Sequence, residues 1–237
     1  MKFIGGKYRY QQQITEVINH YIEVGQPYYE PFIGGAWIAQ NIQNRPVYAS
    51  DHDIDLIQLY REAQCGTDFI PDLVTEEMYN DLKHRNLNLG EHSPLIGFAK
   101  YACSFGGKAW GGYSRYRNRV ASASAEGKRS IQRQMTRMKH VAFSHRDYRE
   151  LSEISDSFFY CDPPYLNCTP AYCKGFDHFE FWQWVRDMSK RNTILVSEYV
   201  APDDFECLLE IPTNLNIHPQ KQRGNERMER VFRHRHN

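Results

Sequence analysis

The 237 residues include six cysteines but no Cys-x-x-Cys pair, and the spacing from Cys161 to Cys173 is not that of a zinc ribbon. A zinc-binding framework is therefore not expected, and free thiols in a reducing compartment fit best. No apolar run is long enough to cross a bilayer, and residues 2–7, Lys-Phe-Ile-Gly-Gly-Lys, do not read as a secretory leader, so the expectation is a cytoplasmic protein with no membrane partner. Neither charge is in excess. Lys plus Arg and Asp plus Glu number 29 each, so any affinity for a polyanion must come from local clustering. There is no low-complexity tract either, and with 41% hydrophobic and 24% charged residues the chain has the balance of a globular protein that buries a core. Its length suits one α/β domain carrying a sizeable insertion better than two independent domains.

The apolar residues that are present fall into periods. Ile14, Val17, Ile18 and Ile22 recur at three- and four-residue steps, which predicts an amphipathic helix over about 8–24, stopped by Gly25-Gln26-Pro27. Residues 28–36 run from Tyr28 into Gly34-Gly35-Ala36 and are followed by Trp37, Ile38 and Ile42, which predicts a glycine turn between a strand and a helix. Short strands are expected at Val47–Ser50, Val141–Phe143, Phe158–Cys161, Thr193–Ser197 and Arg230–Phe232, with a helix over Phe179–Met188. The segment 60–139 breaks this alternation, so we expect a doubly wound sheet formed by 1–59 and 140–237 with a mainly helical insertion.

Asp162-Pro163-Pro164-Tyr165 follows the strand that ends at Cys161, and open α/β sheets bind ligands just beyond the carboxyl ends of their strands. The chemistry these residues suit is alkylation of an exocyclic amine. The lone pair of such an amine is delocalised into the ring, and a carboxylate plus a backbone carbonyl that accept its hydrogens localise the pair. Asp162 offers the carboxylate, Pro163 the carbonyl on a rigid backbone, and Tyr165 a flat face for a base. Four residues alone read equally well as a rigid turn with a surface tyrosine.

Phe3-Ile4-Gly5-Gly6-Lys7, Glu30-Pro31-Phe32-Ile33-Gly34-Gly35-Ala36, Ser50-Asp51 and Asp162-Pro163-Pro164-Tyr165 occur in that order. With them the chain resembles the Dam-like DNA adenine N6-methyltransferases over nearly its whole length. The resemblance implies a Rossmann-like methyltransferase sheet, S-adenosylmethionine as cofactor and double-stranded DNA as partner, with the insertion as target-recognition region. It implies cofactor contacts from Phe3, Gly5, Lys7, Glu30, Phe32, Gly34, Gly35, Asp51 and Asp162, with Asp162 as catalytic aspartate and Pro164 completing its motif. Phe143-Ser144-His145-Arg146-Asp147-Tyr148 resembles the family's third-strand motif, in which Tyr148 stacks on the cofactor adenine and Asp147 accepts from its amine. Tyr148 as core is the competing reading, and Asp51 as a helix cap is another. His145 is given no catalytic role. Ala36 stands where many relatives have a further glycine.

Between Lys108 and Lys139 the basic residues Lys108, Arg115, Arg117, Arg119, Lys128, Arg129, Arg133 and Arg137 face a single acid, Glu126. Such a cluster neutralises phosphates, and Tyr113 and its aromatic neighbours Trp110 and Tyr116 can fill gaps in a base stack; a solvated basic helix is the plainer alternative. The stretch 104–113 also resembles one found in phage-borne members of the family. A second basic run, Lys221 to Arg235, alternates with Glu226 and Glu229 and reads as ion-paired surface. Two rivals remain open on sequence, a methyltransferase acting on RNA or an amide and a silent DNA-binding relative. No metal and no obligate protein partner are called for.

Overall fold

The computed structural model describes residues 1–115, 122–166, 175–213 and 228–235. Its strands are β1 (Tyr28–Glu30), β2 (Val47–Asp51), β3 (Val141–His145), β4 (Phe158–Cys161), β5 (Thr193–Glu198), β6 (Phe205–Pro212) and β7 (Met228–His234). Among the described residues they form one sheet in the order β3-β2-β1-β4-β5-β7-β6. The first five are parallel, and β7 runs antiparallel between β5 and β6. The chain thus winds outward from β1 to β3, crosses back, and continues from β4 in the other direction. The order reverses between β1 and β4, which in open α/β sheets opens a crevice beyond the strand ends.

Alternation along the strands divides the core in two. Phe158 and Tyr160 pack with Ile14 and Ile18 on one face, whereas Phe159 and Cys161 pack with Phe181, Val185 and Met188 on the other. The first face is covered by α1 (Gln11–Tyr21), α2 (Ile54–Cys65), α4 (Pro94–Ala102) and α5 (Ala123–Arg137), the second by α6 (His178–Ser189). With both faces buried, β4 and β5 read as continuous apolar runs, as central parallel strands do. The doubly wound α/β sheet expected from the sequence is the fold observed.

The helices start where polar side chains cap them. Asp53 accepts from the amide of Asp55 at the start of α2, and Ser93 caps α4 with Pro94 in its first turn. Thr75 caps α3 (Glu76–Leu89), and Gly90, in the left-handed region at φ 67°, ends it.

Several expectations need correction. The helix placed after the glycine turn is only a short 3-10 turn, Ala39–Asn41, because Ala36 takes a left-handed φ of 56° and the Gln40 and Asn41 side-chain amides donate back to the Trp37 carbonyl, competing with helical bonding. The first helix begins at Gln11 and ends at Tyr21, preceded by a 3-10 turn over Lys7–Arg9. Strand β6 was not anticipated, since its burial alternates poorly and its register with β7 shifts between Cys207 and Leu209. The boundary drawn at residue 60 falls inside α2. Moreover, Tyr79, Leu82, Ile96, Phe98, Ile131 and Met135 of the insertion belong to the same core as the sheet residues Tyr28, Val47 and Phe158. The described cysteines, Cys65, Cys103, Cys161 and Cys207, are free thiols; Cys168 and Cys173 lie outside the described residues.

The tightest packing is between α2 and α4. A Cβ at Gly97 would lie 2.1 Å from the Asp55 carbonyl oxygen and 3.1 Å from the Leu59 Cβ. Neither backbone can yield without separating the helices. Gly97→Ala is therefore expected to destabilise the chain by about 2–4 kcal/mol, the cost of overpacking a closed core. Urea unfolding followed by circular dichroism measures it, and an unchanged midpoint would contradict this packing.

Candidate active site

The crevice between β1 and β4 is closed by a segment from the far N-terminal part of the chain. The turn Lys7–Arg9 carries Lys7 inward, where its side chain is 6% exposed. Its ammonium lies 2.7 Å from Asp162 Oδ1 and 3.6 Å from Glu229 Oε1, donates to the Gly5 carbonyl at 3.2 Å, and sits 4.7 Å from the centre of the Tyr165 ring. The Tyr165 hydroxyl donates to Glu229 Oε1 at 2.5 Å, and the edge of Tyr199 meets its ring at 4.6 Å. One cation thus serves two carboxylates and one aromatic face, all delivered by different elements: Asp162 and Tyr165 by the loop after β4, Glu229 by β7, and Tyr199 by the end of β5.

A further acid braces the loop. Glu198, the last residue of β5, accepts from the amides of Leu166 at 3.0 Å and Tyr199 at 2.7 Å, so the segment after β4 is tied to the neighbouring strand. Below it, the hydroxyls of Tyr160 and Ser197 share a hydrogen bond of 2.7 Å. Burial pushes the Asp162 carboxyl up to about 6, with the Lys7 ammonium pulling down and the Glu229 charge pushing up. Burial likewise raises Glu198 to about 7 and Glu30 to about 8. It works against the Lys7 ammonium, but Asp162 and Glu229 outweigh it and hold that group above its ordinary value.

Beside this cluster lies the glycine turn. The Gly34 amide donates to Asp51 Oδ2 at 3.1 Å, and the Gly34 carbonyl accepts from the Tyr60 hydroxyl at 2.6 Å. Gly34 has φ 43° and a Cβ there would meet the Phe3 ring at 3.1 Å; a side chain would be strained and crowded. Buried Gln134 of α5 donates to the Gly35 carbonyl at 2.9 Å. Asp51 itself ends β2, is 8% exposed, and also accepts from the Asp53 amide at 3.0 Å. The cap of α2 is Asp53, not Asp51.

A family model described as D12 class N6 adenine-specific DNA methyltransferase matches residues 3–94 and 95–182. The chain belongs to this family. Solved structures similar to this chain include TrmN from Thermus thermophilus, at 12% identity and a TM-score of 0.39, covering 94% of this chain and 47% of that one. A conserved protein of Streptococcus pyogenes without assigned function follows at 7% identity and 0.38, covering 94% of each chain. A third, described as a candidate methylase of Haemophilus influenzae, stands at 10% and 0.35, covering 95% and 96%. The chain spans about half the length of TrmN. Scores this low add nothing to what the strand order already establishes. No curated protein matches the chain significantly.

The residues anticipated for the site are distributed unevenly. Lys7, Asp162, Pro163, Pro164 and Tyr165 are together at the crevice; Gly34, Gly35 and Asp51 are together at the neighbouring turn, with the Phe3 ring against them and stacked on Tyr101 at 4.8 Å. Gly5 contributes the carbonyl held by Lys7. Glu30 instead turns into the core, where its carboxylate accepts from the Tyr28 hydroxyl at 2.7 Å and is 2% exposed. Tyr148 is 5% exposed and in contact with Phe32, Phe181 and Trp184. Asp147 caps the turn Tyr148–Leu151 and is bridged by Arg149. His145 is exposed and hydrogen-bonded to the His52 carbonyl. Glu198 and Glu229 were not anticipated. Both lie beyond the matched residues, and in sequence they look like ordinary acids on edge-side strands.

Of the basic insertion, Lys128 donates inward to the Ile70 carbonyl and Asp72, Arg115 pairs with Glu76, and the Tyr113 hydroxyl donates to the Val74 carbonyl. Trp110 spends its indole N–H on Asn86. Arg129, Arg133 and Arg137 are exposed at four-residue steps on α5, with Arg137 also reaching the Asn41 side chain. Lys108 is half-buried. Arg117, Arg119 and Tyr116, like Lys221, Arg223 and Arg227 of the second basic run, lie outside the described residues; Arg230 and Arg233 of that run are paired with Glu210 and Glu206.

Lys7→Met leaves buried carboxylates without their cation. Removing one partner of such a cluster costs about 3–5 kcal/mol, and that loss is expected in urea titrations at neutral pH. Asp162 titrates at about 6 in the folded chain against 3.8 for the free side chain. Lys7 is one of the groups that pull this carboxyl down, so in the variant Asp162 takes up its proton at a higher pH than in the natural chain, and the penalty is expected to shrink as the pH falls towards about 6. A penalty that does not shrink there would show that the cluster is not what Lys7 stabilises.

Proposed function

We propose that the methyltransferase moves a methyl group from S-adenosylmethionine to N6 of adenine in double-stranded DNA, with the target base taken out of the helix. The observation that carries this reading is the Asp162 carboxylate, largely buried with its side chain 19% exposed, held by Lys7 at one oxygen and flanked by Tyr165, at the point where the strand order reverses. The amine of adenine is a weak nucleophile. With Lys7 on Oδ1 and the Tyr165 hydroxyl also bonded to the carboxyl, Asp162 accepts from the amine through a remaining lone pair, and with the Pro163 carbonyl as second acceptor the nitrogen lone pair turns out of the ring. The Tyr165 ring, fixed by Glu229 and Tyr199, stacks on the base. A base inside a duplex cannot reach a carboxylate buried in this crevice, which is why extrusion belongs to the reading.

The residues present fit the cofactor. S-adenosylmethionine supplies an electrophilic methyl group on sulfur. The Gly34-Gly35 turn lets a ligand approach the backbone closely, and the Asp51 carboxylate, beside it at the end of β2, is placed to accept ribose hydroxyls. Nothing in the chain need act as a strong base: the amine sheds one proton after transfer, and the Asp162 carboxylate can take it and release it to water.

For DNA we place the duplex along a groove of about 550 Å³ lined by Tyr8, Arg9 and Trp37 on one side, Ser104 and Gly106 on another, and Arg133 of α5. Arg129 and Arg137 continue the basic stripe one turn to either side. In this reading the segment 60–139 is the target-recognition region and its exposed arginines meet phosphates.

The test is transfer of labelled methyl from S-adenosylmethionine to unmethylated plasmid DNA, followed by nucleoside analysis. Labelled N6-methyladenine is expected, with kcat falling about tenfold per pH unit below about 6, where Asp162 protonates. Asp162→Ala should abolish transfer while leaving DNA affinity within a few-fold. Label appearing only in RNA or protein, or transfer retained by the variant, would overturn the reading.

The groove is tested separately. Replacing Arg129 and Arg133 together by Gln should weaken binding to all DNA sequences alike and reduce the slope of log K against log salt by about 2, roughly 0.9 per lost phosphate contact. An unchanged slope would move the duplex elsewhere.

A further inference from the structure

Glu229 lies on β7, beyond the residues the family model matches, and has no part in the chemistry derived above except to hold Tyr165. Its surroundings are unusual for a merely structural acid. It is 4% exposed, its Oε1 takes the Tyr165 hydroxyl at 2.5 Å, and the same oxygen lies 3.6 Å from the Lys7 ammonium. Without it the crevice would hold one ammonium and one carboxylate, Lys7 and Asp162, and would be electrically neutral. With it, two carboxylates face one ammonium, and since burial holds the neighbouring Glu198 and Glu30 towards their neutral forms, Glu229 tips the local balance negative where the base amine must sit.

The reaction makes that charge useful. As the N6 lone pair forms the new nitrogen–carbon bond, the bond from the methyl carbon to sulfur breaks and its electron pair stays on sulfur. The positive charge of the sulfonium thereby passes to the nitrogen, which afterwards loses one proton to the Asp162 carboxylate. Fixed negative charge beside the amine, among largely buried groups, stabilises the transition state more than the neutral base. Lys7 on its own would oppose the transfer, being a cation beside a nitrogen that is becoming cationic. A second carboxylate at 3.6 Å removes that opposition while leaving Lys7 free to hold Asp162.

We propose that Glu229 is an electrostatic positioning residue of the transfer step: through Lys7 and Tyr165 it gives the crevice the net negative charge that favours positive charge on the acceptor nitrogen. The inference rests on the amine-methylation reading above. It predicts that loss of the charge falls on the rate of transfer: Glu229 touches neither the glycine turn nor the α5 stripe, and its hold on Tyr165 needs only an acceptor, which an amide also provides.

The experiment is single-turnover methyl transfer by Glu229→Gln, which keeps the shape and an acceptor for Tyr165 but removes the charge. The expected rate loss is about 10²-fold, as for deletion of one preorganised charge-stabilising group, with the affinities for S-adenosylmethionine and DNA unchanged within twofold. The acid limb of the pH profile should move to lower pH, since Glu229 is one of the groups that push Asp162 up. Glu229→Asp, which keeps the charge, should restore the rate to within about tenfold of the natural chain, and it decides the matter alone should the Gln variant not fold. Equal rates for Gln and the natural residue would overturn the proposal, as would a Glu229→Asp variant as slow as expected for Gln. If the natural chain transfers no methyl to adenine in DNA, the functional reading fails; if it does and only these variants disagree, the failure is of this inference alone.

Discussion

A lysine in the seventh position and an aspartate in the hundred and sixty-second meet at 2.7 Å, almost out of water, and much of the molecule exists to let them meet. Burial works against both charges, so the pair persists only because the fold surrounds it with partners: a tyrosine face, a second carboxylate and a backbone carbonyl for the lysine, and for the loop that bears the aspartate the amide bonds to Glu198. The N-terminal segment cannot reach this position by itself. Its Phe3 ring is stacked on Tyr101 of α4, and the Ile4 amide is bonded to the Gly107 carbonyl. The insertion therefore holds the strap that carries Lys7 into the crevice of the sheet.

This arrangement explains how a chain of zero net charge can have sharply different local fields. Around Lys7 the carboxylates outnumber the cations and are buried, where electrostatic effects are strong. On the outer side of α5 the arginines are exposed at helical spacing, where their effect is screened and reversible. The first field suits a small group whose charge changes during a reaction, the second a long polyanion that must bind and leave.

What the sequence made legible was whatever rests on local chemistry. The central strands are continuous apolar runs, so their places were evident, and the motif after β4 drew notice because it directly follows such a run and stands in order with the other family motifs. Asp51 drew notice likewise, at the end of the apolar strand β2. Less visible were groups whose meaning depends on distant partners. Glu30 stands in the glycine-turn motif but is held by Tyr28 two residues earlier, and Tyr148 packs among four other aromatic rings, Phe32, Phe176, Phe181 and Trp184. Glu229 alternates with arginines like any exposed strand acid, and only the antiparallel placing of β7 beside β5 brings it to Lys7. The misjudged helix after the turn has a local cause that hydrophobic spacing does not register: the left-handed backbone at Ala36.

The common core of sheet and insertion also bears on how such a chain can change over time. A recognition segment enclosed by its own core can be exchanged like a cassette, since its removal leaves the remainder intact. Here α2 belongs to both parts, α4 lies against it with no room even for a methyl group at Gly97, and the insertion props the strap that bears Lys7. The surface of the insertion is thus freer to vary through its side chains than through a transplanted segment, because a graft would have to carry its own supports for the buried lysine.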